Sequence, residues 1–191
     1  MSERILNLPN IITLLRLAAV PVIAWLILQQ HWEAAFWLFL VAAVSDGIDG
    51  LLARWLNQTT QLGAAFDTVA DKALAVVTLV MLTQAGAIPL WVALAILVRD
   101  SIVVLGALSY RRLAGRLEIN PTWLGKTHVF SEFSMLALVL ADLGKLLEIQ
   151  AWLTVIFVAV FVIAVISGVQ YVWIWSAKAR RARAEIQLKT H

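Results

Sequence analysis

Residues 150–175 read QAWLTVIFVAVFVIAVISGVQYVWIW and contain no acidic or basic side chain. A helix needs about 20 predominantly apolar residues to cross about 30 Å of hydrocarbon, and this stretch is longer than that. Because lipid cannot hydrogen-bond exposed backbone groups, such a run is predicted to be a helix and not a strand. The stretch therefore predicts a membrane-spanning helix.

Five further apolar stretches precede this one, and each has a similar length. They are residues 11–29, 33–53, 62–83, 88–109 and 123–142. Polar or glycine-containing turns separate them. We therefore predict an all-α, polytopic membrane protein with six transmembrane helices, forming a single domain over residues 1–191. A short interfacial helix at residues 3–8 is a further prediction, and a frayed terminus is the alternative.

The composition agrees with a membrane protein. Hydrophobic residues make up 62% of the chain, above the roughly 45–50% apolar content of soluble domains. Cysteine is absent, which excludes disulfides, thiolate nucleophiles and cysteine-ligated metals. The net charge of +3 is small, but the basic residues are clustered, and their positions predict how the chain is oriented in the membrane. We expect membrane lipid, and not nucleic acid, as the partner.

The basic residues lie almost entirely on one side of an alternating path through the membrane. They are Arg4, Arg54, Arg111, Arg112, Arg116, Lys126 and the tail from Lys178 to Lys189. The connections on the opposite side carry only Lys145. By the positive-inside rule, both termini face the cytoplasm. The basic tail is expected to contact anionic headgroups, or simply to be solvated.

Four aspartates gather at the facing ends of the second and third apolar stretches. Asp46 and Asp49 lie in SDGIDGLLAR, and Asp67 and Asp71 lie in GAAFDTVADK. Spacings of three and four residues put each pair on one face of a helix. Four carboxylates converging near lipid would repel one another and lose solvation, so we predict a divalent cation between them.

An all-oxygen ligand set suits hard cations such as Mg²⁺, Mn²⁺ or Ca²⁺ better than zinc. Gly50 is interpreted as room for a ligand to approach the backbone. Gly63 fits ligand approach and close helix packing equally. Arg54 would reach a phosphate or balance the carboxylates, and the alternative is an arginine that snorkels from the helix end.

Residues 46–71 follow the pattern D-x-x-D-G-x-x-A-R, eight residues, then G-x-x-x-D-x-x-x-D. This pattern resembles the signature of the CDP-alcohol phosphatidyltransferase family at every fixed position. The start of the chain, Leu8-Pro9-Asn10 with Thr13 and Arg16, also resembles the family, as does Leu124-Gly125-Lys126-Thr127. The resemblance therefore covers nearly the whole chain.

The resemblance implies an enzyme that transfers a phosphatidyl group from CDP-diacylglycerol to an alcohol and releases CMP. It implies that Asp46, Asp49, Asp67 and Asp71 bind two Mg²⁺ or Mn²⁺ ions, and that Asp71 is also the general base. It further implies a homodimer in the inner membrane of a bacterium, with the site on the cytoplasmic side. The positions that resemble the CDP-lipid site are Leu8, Pro9, Asn10, Ile11, Gly50, Arg54, Thr60 and Gly63.

The acceptor is predicted to be anionic because basic candidates stand on the cytoplasmic side: Arg99, Arg111, Arg112 and Lys126. Arg99 could instead form a structural ion pair with Asp100. That Arg-Asp pair and the segment from Leu124 resemble the CMP-forming cardiolipin synthases more than the phosphatidylglycerophosphate synthases. We therefore expect phosphatidylglycerol as the acceptor, with glycerol 3-phosphate as the alternative.

Two other classes of protein are compatible with buried carboxylates. A small ion transporter would use them along an ion pathway, and a membrane scaffold would use them to hold a structural cation. The clustering of all four near one membrane face, together with glycine and arginine, favours the enzyme. His128 is interpreted as an interior hydrogen-bonded residue and not as a ligand.

Overall fold

The computed structural model describes residues 8–55, 61–114 and 122–189. Within these ranges, the secondary structure consists of six helices and no strand. They are α1 (Leu8–Leu28), α2 (Trp32–Trp55), α3 (Gln61–Gln84), α4 (Leu90–Ala114), α5 (Trp123–Leu143) and α6 (Gln150–Lys189). Each predicted apolar stretch corresponds to one helix, which confirms the all-α prediction. The helix predicted at residues 3–8 lies outside the described residues, except for Leu8 itself.

Two of these helices are long and apolar enough to cross a membrane. The qualifying segments are Leu90–Tyr110 in α4 and Gln150–Lys178 in α6, with 21 and 29 residues. Shorter apolar segments occur in α1 and α2, at Ile12–Leu28 and Trp32–Ser45. Large apolar side chains on the long segments are exposed, for example Val98 and Trp173. Such a surface suits a lipid environment, so the structure supports a membrane protein.

The chain divides into two compact units. The first comprises Met1–Pro89 and Phe133–Leu153. In it, α1 packs against α2 and α3, and α2 contacts α3. Phe39 and Phe133 stack in this unit with ring centroids 5.8 Å apart. Its apolar core also includes the buried residues Ile23, Ile27, Leu74, Leu79, Leu82, Leu136 and Leu140.

Helix ends in the first unit are set by short caps. Gln30, Gly86 and Lys145 follow α1, α3 and α5 and have positive φ angles of 60°, 76° and 57°. Backbone N–H groups just beyond return to the last helical turn, as when His31 donates to the Leu26 carbonyl at 2.9 Å. These left-handed caps satisfy carbonyl groups that the helix leaves without intrahelical donors.

The second unit comprises Leu90–Glu132 and Thr154–His191. Its helices α4 and α6 run parallel, because the contacts between them ascend along both helices together. These contacts join Trp91 with Phe161, Arg99 with Ser167, and Tyr110 with Lys178. Parallel α4 and α6, separated in sequence by the single helix α5, match a chain that alternates across a membrane.

Candidate functional site

The four predicted metal ligands occupy the ends of α2 and α3 that lie nearest their connection. Asp46 and Asp49 are one helical turn apart within the last ten residues of α2. Asp67 and Asp71 are one turn apart within the first eleven residues of α3. The side chains at positions 46–68 lie outside what the structure describes. Convergence of the four carboxylates therefore stays a prediction.

The predicted CDP-lipid residues are placed by backbone only. The four residues from Leu8 to Ile11 form the first turn of α1, Gly50 and Arg54 lie on α2, and Gly63 lies on α3. Thr60 falls in the connection outside the described residues. Their roles in binding the CDP-lipid stay predictions.

Asp71 is the motif aspartate whose side chain is described, and it pairs with Arg16 of α1. The Arg16 Nη1 group donates to Oδ1 of Asp71 at 2.6 Å. The arginine side chain is 1% exposed, whereas that of Asp71 is 29% exposed. A buried arginine on an apolar helix needs a counter-charge, and Asp71 supplies it. The carboxylate is thus anchored from inside the unit while part of it stays accessible.

Arg16 is a functional candidate to which the sequence analysis gave no role. It entered the argument only as part of the family-like start of the chain. The signal that could have found it is an arginine within the apolar stretch 11–29, because such a residue requires a partner. The sequence alone does not say which aspartate provides the counter-charge.

Asp71 fits a divalent cation site in its donor chemistry and exposure. A carboxylate oxygen is a ligand that Mg²⁺ and Mn²⁺ prefer, and Asp67 lies one turn away on the same helix. The hydrogen bond from Arg16 is charge-assisted, and such bonds are short and strong. It therefore restrains the orientation of the Asp71 carboxylate.

In the second unit, Arg99 is the centre of a buried polar network. Its Nη1 donates to Oδ1 of Asp100 at 2.8 Å, and its Nε and Nη2 donate to Oγ of Ser167 at 3.2 and 3.1 Å. The guanidinium also lies 5.3 Å from the ring centroid of Tyr171. The structural ion pair offered as the alternative for Arg99 is therefore present. Acceptor binding by Arg99 stays a prediction.

The N-terminus of α5 lies beside this network. The backbone N–H of Gly125 donates to Oγ1 of Thr122 at 3.0 Å, so Thr122 caps the helix. A Cβ atom at Gly125 would lie 2.7 Å from the Tyr171 hydroxyl and 3.4 Å from Nη2 of Arg99. A side chain at position 125 would therefore require the Tyr171 hydroxyl to shift.

The other predicted acceptor residues are placed with less detail. Lys126 is exposed on α5, with its Nζ 5.2 Å from the ring centroid of Trp123. Arg111 and Arg112 lie in the last turns of α4, and their side chains are outside the described part. Arg116 falls in the undescribed connection that follows.

A second cluster of potential metal ligands involves Asp100, His128 and Glu132. One ligand atom from each lies within 4.8 Å of the others, and all three residues are buried. His128 and Glu132 are one turn apart on α5, with Nδ1 and Oε2 separated by 3.8 Å. This mixed donor set suits zinc or a transition metal more than Mg²⁺. Because Arg99 already balances Asp100, a protonated His128 would balance the remaining carboxylate without any metal.

The sequence analysis assigned no role to Glu132 and placed His128 in the interior. The burial of His128 agrees with that placement. The His-x-x-x-Glu spacing on one face of α5 is the signal that could have linked the two residues.

Comparison with known proteins identifies the protein family to which the chain belongs. The family model described as CDP-alcohol phosphatidyltransferase matches residues 6–179. The chain belongs to the CDP-alcohol phosphatidyltransferase family. The matched region of this phosphatidyltransferase contains the four motif aspartates, Arg16 and Arg99, and it extends across all six helices.

Relatives of this phosphatidyltransferase carry two different names. The chain is 37% identical over 176 residues to a probable phosphatidylglycerophosphate synthase of Mycobacterium tuberculosis (strain CDC 1551 / Oshkosh), covering 88% of this chain and 81% of the relative. It is 37% identical over 152 residues to a CMP-forming cardiolipin synthase of Streptomyces coelicolor, and the match covers 75% of this chain and 69% of that relative. It is also 36% identical over 107 residues to the human CMP-forming cardiolipin synthase, and this match covers 56% of this chain and 35% of that relative.

Family membership decides between the classes of protein considered from the sequence. The protein is a phosphatidyl transferase of phospholipid synthesis, so the enzyme prediction is confirmed over the transporter and the scaffold. The family implies a CDP-diacylglycerol donor, an alcohol acceptor and, in general, dependence on a divalent metal. Because relatives with both names are equally similar at 37% identity, identity does not select the acceptor.

Proposed function

We propose that the protein transfers the phosphatidyl group of CDP-diacylglycerol to phosphatidylglycerol and thereby forms cardiolipin and CMP. The observation that carries this choice of acceptor is the buried Arg99–Asp100 pair, joined at 2.8 Å. An aspartate after this arginine is one of the features by which the sequence resembles the cardiolipin synthases, together with Ile88-Pro89-Leu90 and the segment from Leu124. Lys126, which is exposed near the α5 N-terminus, also supplies positive charge for an anionic acceptor.

The chemistry is assigned to the motif aspartates. Asp46, Asp49, Asp67 and Asp71 would hold two Mg²⁺ or Mn²⁺ ions, and bound divalent cations neutralise a diphosphate and stabilise a departing phosphate. Asp71 accepts the proton of the acceptor hydroxyl. The hydroxyl oxygen forms a bond to the phosphorus that carries diacylglycerol, and the bond from that phosphorus to CMP breaks. CMP leaves with the electron pair of that bond.

Other residues position the donor, the acceptor and the base. Arg16 holds Oδ1 of Asp71, which fixes the direction of the carboxylate relative to α3. Arg99 and Lys126, with Arg111 and Arg112, attract the anionic acceptor. The CDP-lipid is bound by Leu8, Pro9, Asn10, Ile11, Gly50, Arg54, Thr60 and Gly63.

The membrane setting is part of the proposal. All six helices cross the inner membrane of a bacterium, with both termini and the active site on the cytoplasmic side, and the enzyme is a homodimer. The two long apolar helices and the parallel course of α4 and α6 support an alternating path. The clustered basic residues support its orientation.

The reaction is tested by CMP release from purified protein supplied with CDP-diacylglycerol, Mg²⁺ and phosphatidylglycerol. Asp71→Asn should lower turnover by at least about 10²-fold, the lower range for loss of a general base. Asp67→Asn should also lower turnover, because it removes a proposed metal ligand. Glu148→Gln, an exposed acidic residue outside the motif, is the control and should retain activity. Wild-type turnover in Asp71→Asn, in protein that elutes and melts normally, would overturn the mechanism.

The acceptor is tested in the same assay with phosphatidylglycerol and glycerol 3-phosphate run in parallel. The name of the Mycobacterium relative favours the second acceptor as the alternative. Thin-layer separation of the lipid product identifies cardiolipin or phosphatidylglycerophosphate directly. Exclusive use of glycerol 3-phosphate would replace the proposed acceptor and leave the reaction class intact.

A further inference from the structure

A pocket of about 550 Å³ lies in the first unit, where the connection between α1 and α2 meets the end of α5. Residues 30–34 and Trp37 line one wall, and residues 143–145 line the other. Its volume is within the range of about 300–1,000 Å³ that small-molecule sites occupy. The pocket is therefore large enough for a small polar ligand or a lipid headgroup.

The two walls meet in direct backbone contact at Gly144. A Cβ atom at this position would lie 3.2 Å from both the Cα and the N atom of Glu33. Backbone atoms cannot rotate away as the end of a side chain can, so a side chain at position 144 would push the walls apart. The glycine thus allows the end of α5 to lie against the first turn of α2.

Glu33 and Lys145 place opposite charges on the two walls, and both residues are exposed. Among the residues that the structure describes, neither side chain has an ion-pair or hydrogen-bond partner. The two charges therefore do not neutralise each other. Charge complementarity favours a ligand that carries a cationic group for Glu33 and an anionic group for Lys145.

Aromatic rings lie beside these charges. Trp32 and Trp37 both line the α2 wall. A cation bound near Glu33 gains further attraction from the face of a tryptophan ring. Tryptophan is also enriched at the level of the lipid headgroups, so the aromatic lining fits a site at the membrane interface.

Apolar side chains flank the pocket in sequence on both walls. Leu28 precedes the α1–α2 connection, and Leu146 and Leu147 follow Lys145; all three are exposed. Exposed apolar side chains of this kind suit contact with acyl chains. A ligand attached to a lipid therefore fits these surroundings better than a soluble one.

The pocket is separate from the motif aspartates of the same unit. Helix α2 begins at the pocket and carries Asp46 and Asp49 near its other end. From Glu33 to Asp46 the helix rises by about 20 Å. A ligand in the pocket thus lies away from the region assigned to the chemistry.

We propose that this pocket binds the headgroup of a zwitterionic phospholipid, with the phosphate at Lys145 and the ammonium group at Glu33. Glu33 provides the selectivity, because its carboxylate attracts the ammonium group and repels lipids that carry only a phosphate. The site goes beyond the proposed function and does not depend on the identity of the acceptor.

The test measures lipid affinity by native mass spectrometry of the detergent-solubilised full chain, titrated with phosphatidylethanolamine. Glu33→Gln should weaken binding about fivefold, the upper end for loss of an exposed ion pair. Binding of phosphatidylglycerol, which has the phosphate without an ammonium group, should not weaken in this variant. Glu148→Gln, an exposed acid beyond the lining, is the matched control and should bind both lipids as wild type does.

A second variant tests the opposite wall. Lys145 has a φ angle of 57°, a conformation that asparagine tolerates well, so Lys145→Asn removes the charge without adding strain. It should also weaken phosphatidylethanolamine binding about fivefold. Each variant decides on its own, so failure of one to fold leaves the test intact.

The outcomes separate this inference from the proposed function. Phosphatidylethanolamine affinity that is unchanged in a folded Glu33→Gln or Lys145→Asn would overturn the site. Competition by soluble glycerophosphoethanolamine at the concentration of the lipid would identify a soluble zwitterion and overturn the lipid assignment. Release of CMP should be unchanged in Glu33→Gln, and a wild type that releases none would overturn the proposed function alone, because lipid binding is measured without turnover.

Discussion

Arg16 and Asp71 are 55 positions apart in sequence and form one ion pair. The arginine is almost fully buried and the carboxylate is part exposed, so the pair is asymmetric. In this geometry Asp71 offsets the cost of burying the Arg16 charge, and the carboxylate stays accessible from one side. The buried arginine that Asp71 neutralises is thus also the residue that orients the candidate catalytic carboxylate.

Replacing Arg16 tests both consequences. Arg16→Met should lower stability by about 3 kcal/mol, the low end for a broken buried pair because Asp71 is part exposed. It should also remove most CMP release, because the base loses the donor that orients it. Arg16→Lys keeps the charge without the planar geometry and should lose less of both. Thermal unfolding in detergent and the CMP assay provide the two measurements, and wild-type behaviour of Arg16→Met would contradict the role.

Arg99 and Asp100 are adjacent in sequence and both are buried, so their charges are strongly coupled. Arg99→Met and Asp100→Leu should each destabilise the protein by about 3–5 kcal/mol, because each leaves the other charge buried. The double variant removes both charges and should cost less than the sum, by about 1–3 kcal/mol. Chemical denaturation of all four proteins in one detergent measures this difference. Strict additivity would mean that the pair contributes no coupling.

At the scale of helices, α4 and α6 approach closely at Gly106. A Cβ atom there would overlap the indole ring of Trp175, so only glycine permits the observed packing. The side chain of Trp175 in turn packs against Tyr110, with ring centroids 5.7 Å apart. The contact therefore sets the spacing of the two helices in the C-terminal half of α4.

Gly106→Ala should therefore destabilise the protein by about 1–3 kcal/mol, the usual cost of overpacking. In a Trp175→Ala background the same change should cost almost nothing, because the atoms it would displace are gone. Gly168→Ala is the comparison at a helical glycine with room for a methyl group. Melting temperatures of the single and double variants test this, and an equal loss in both backgrounds would exclude the Trp175 contact as the cause.

Helix α6 extends further than the apolar pattern predicts. The apolar stretch ends at residue 175, but the helix continues to Lys189. The continuation is rich in alanine, lysine, arginine, glutamate and glutamine, all strong helix formers. Hydropathy indicates where the chain leaves the hydrocarbon of the membrane, whereas helix propensity determines how far the helix continues beyond it.

At the scale of the whole molecule, the absence of cysteine makes topology directly testable. Single cysteines at the exposed positions His31 and Lys145 should react with an impermeant maleimide in spheroplasts. A cysteine at the exposed position Arg180 should react only in inverted vesicles. Labelling of all three from the same side would contradict the alternating path and the orientation based on basic residues.

The sequence by itself determined the number and type of the helices and the reaction family. Helix formation in an apolar segment is local, because each backbone group bonds four residues away and lipid offers no other partner. The motif of residues 46–71 is likewise a matter of spacing, and it predicted the family that comparison confirmed. Local caps such as Gln30 explain why the ends of α1, α3 and α5 also fell close to their predicted positions.

Only the tertiary structure decided which distant side chains meet. Arg16 could have paired with any nearby aspartate, and Arg99 contacts Ser167 from 68 positions away. These partners depend on the rotation and register of packed helices, which side-chain contacts set and which no local pattern encodes. The close approach of α4 and α6 arises in the same way, from two parallel helices that meet where Gly106 leaves room for the Trp175 ring.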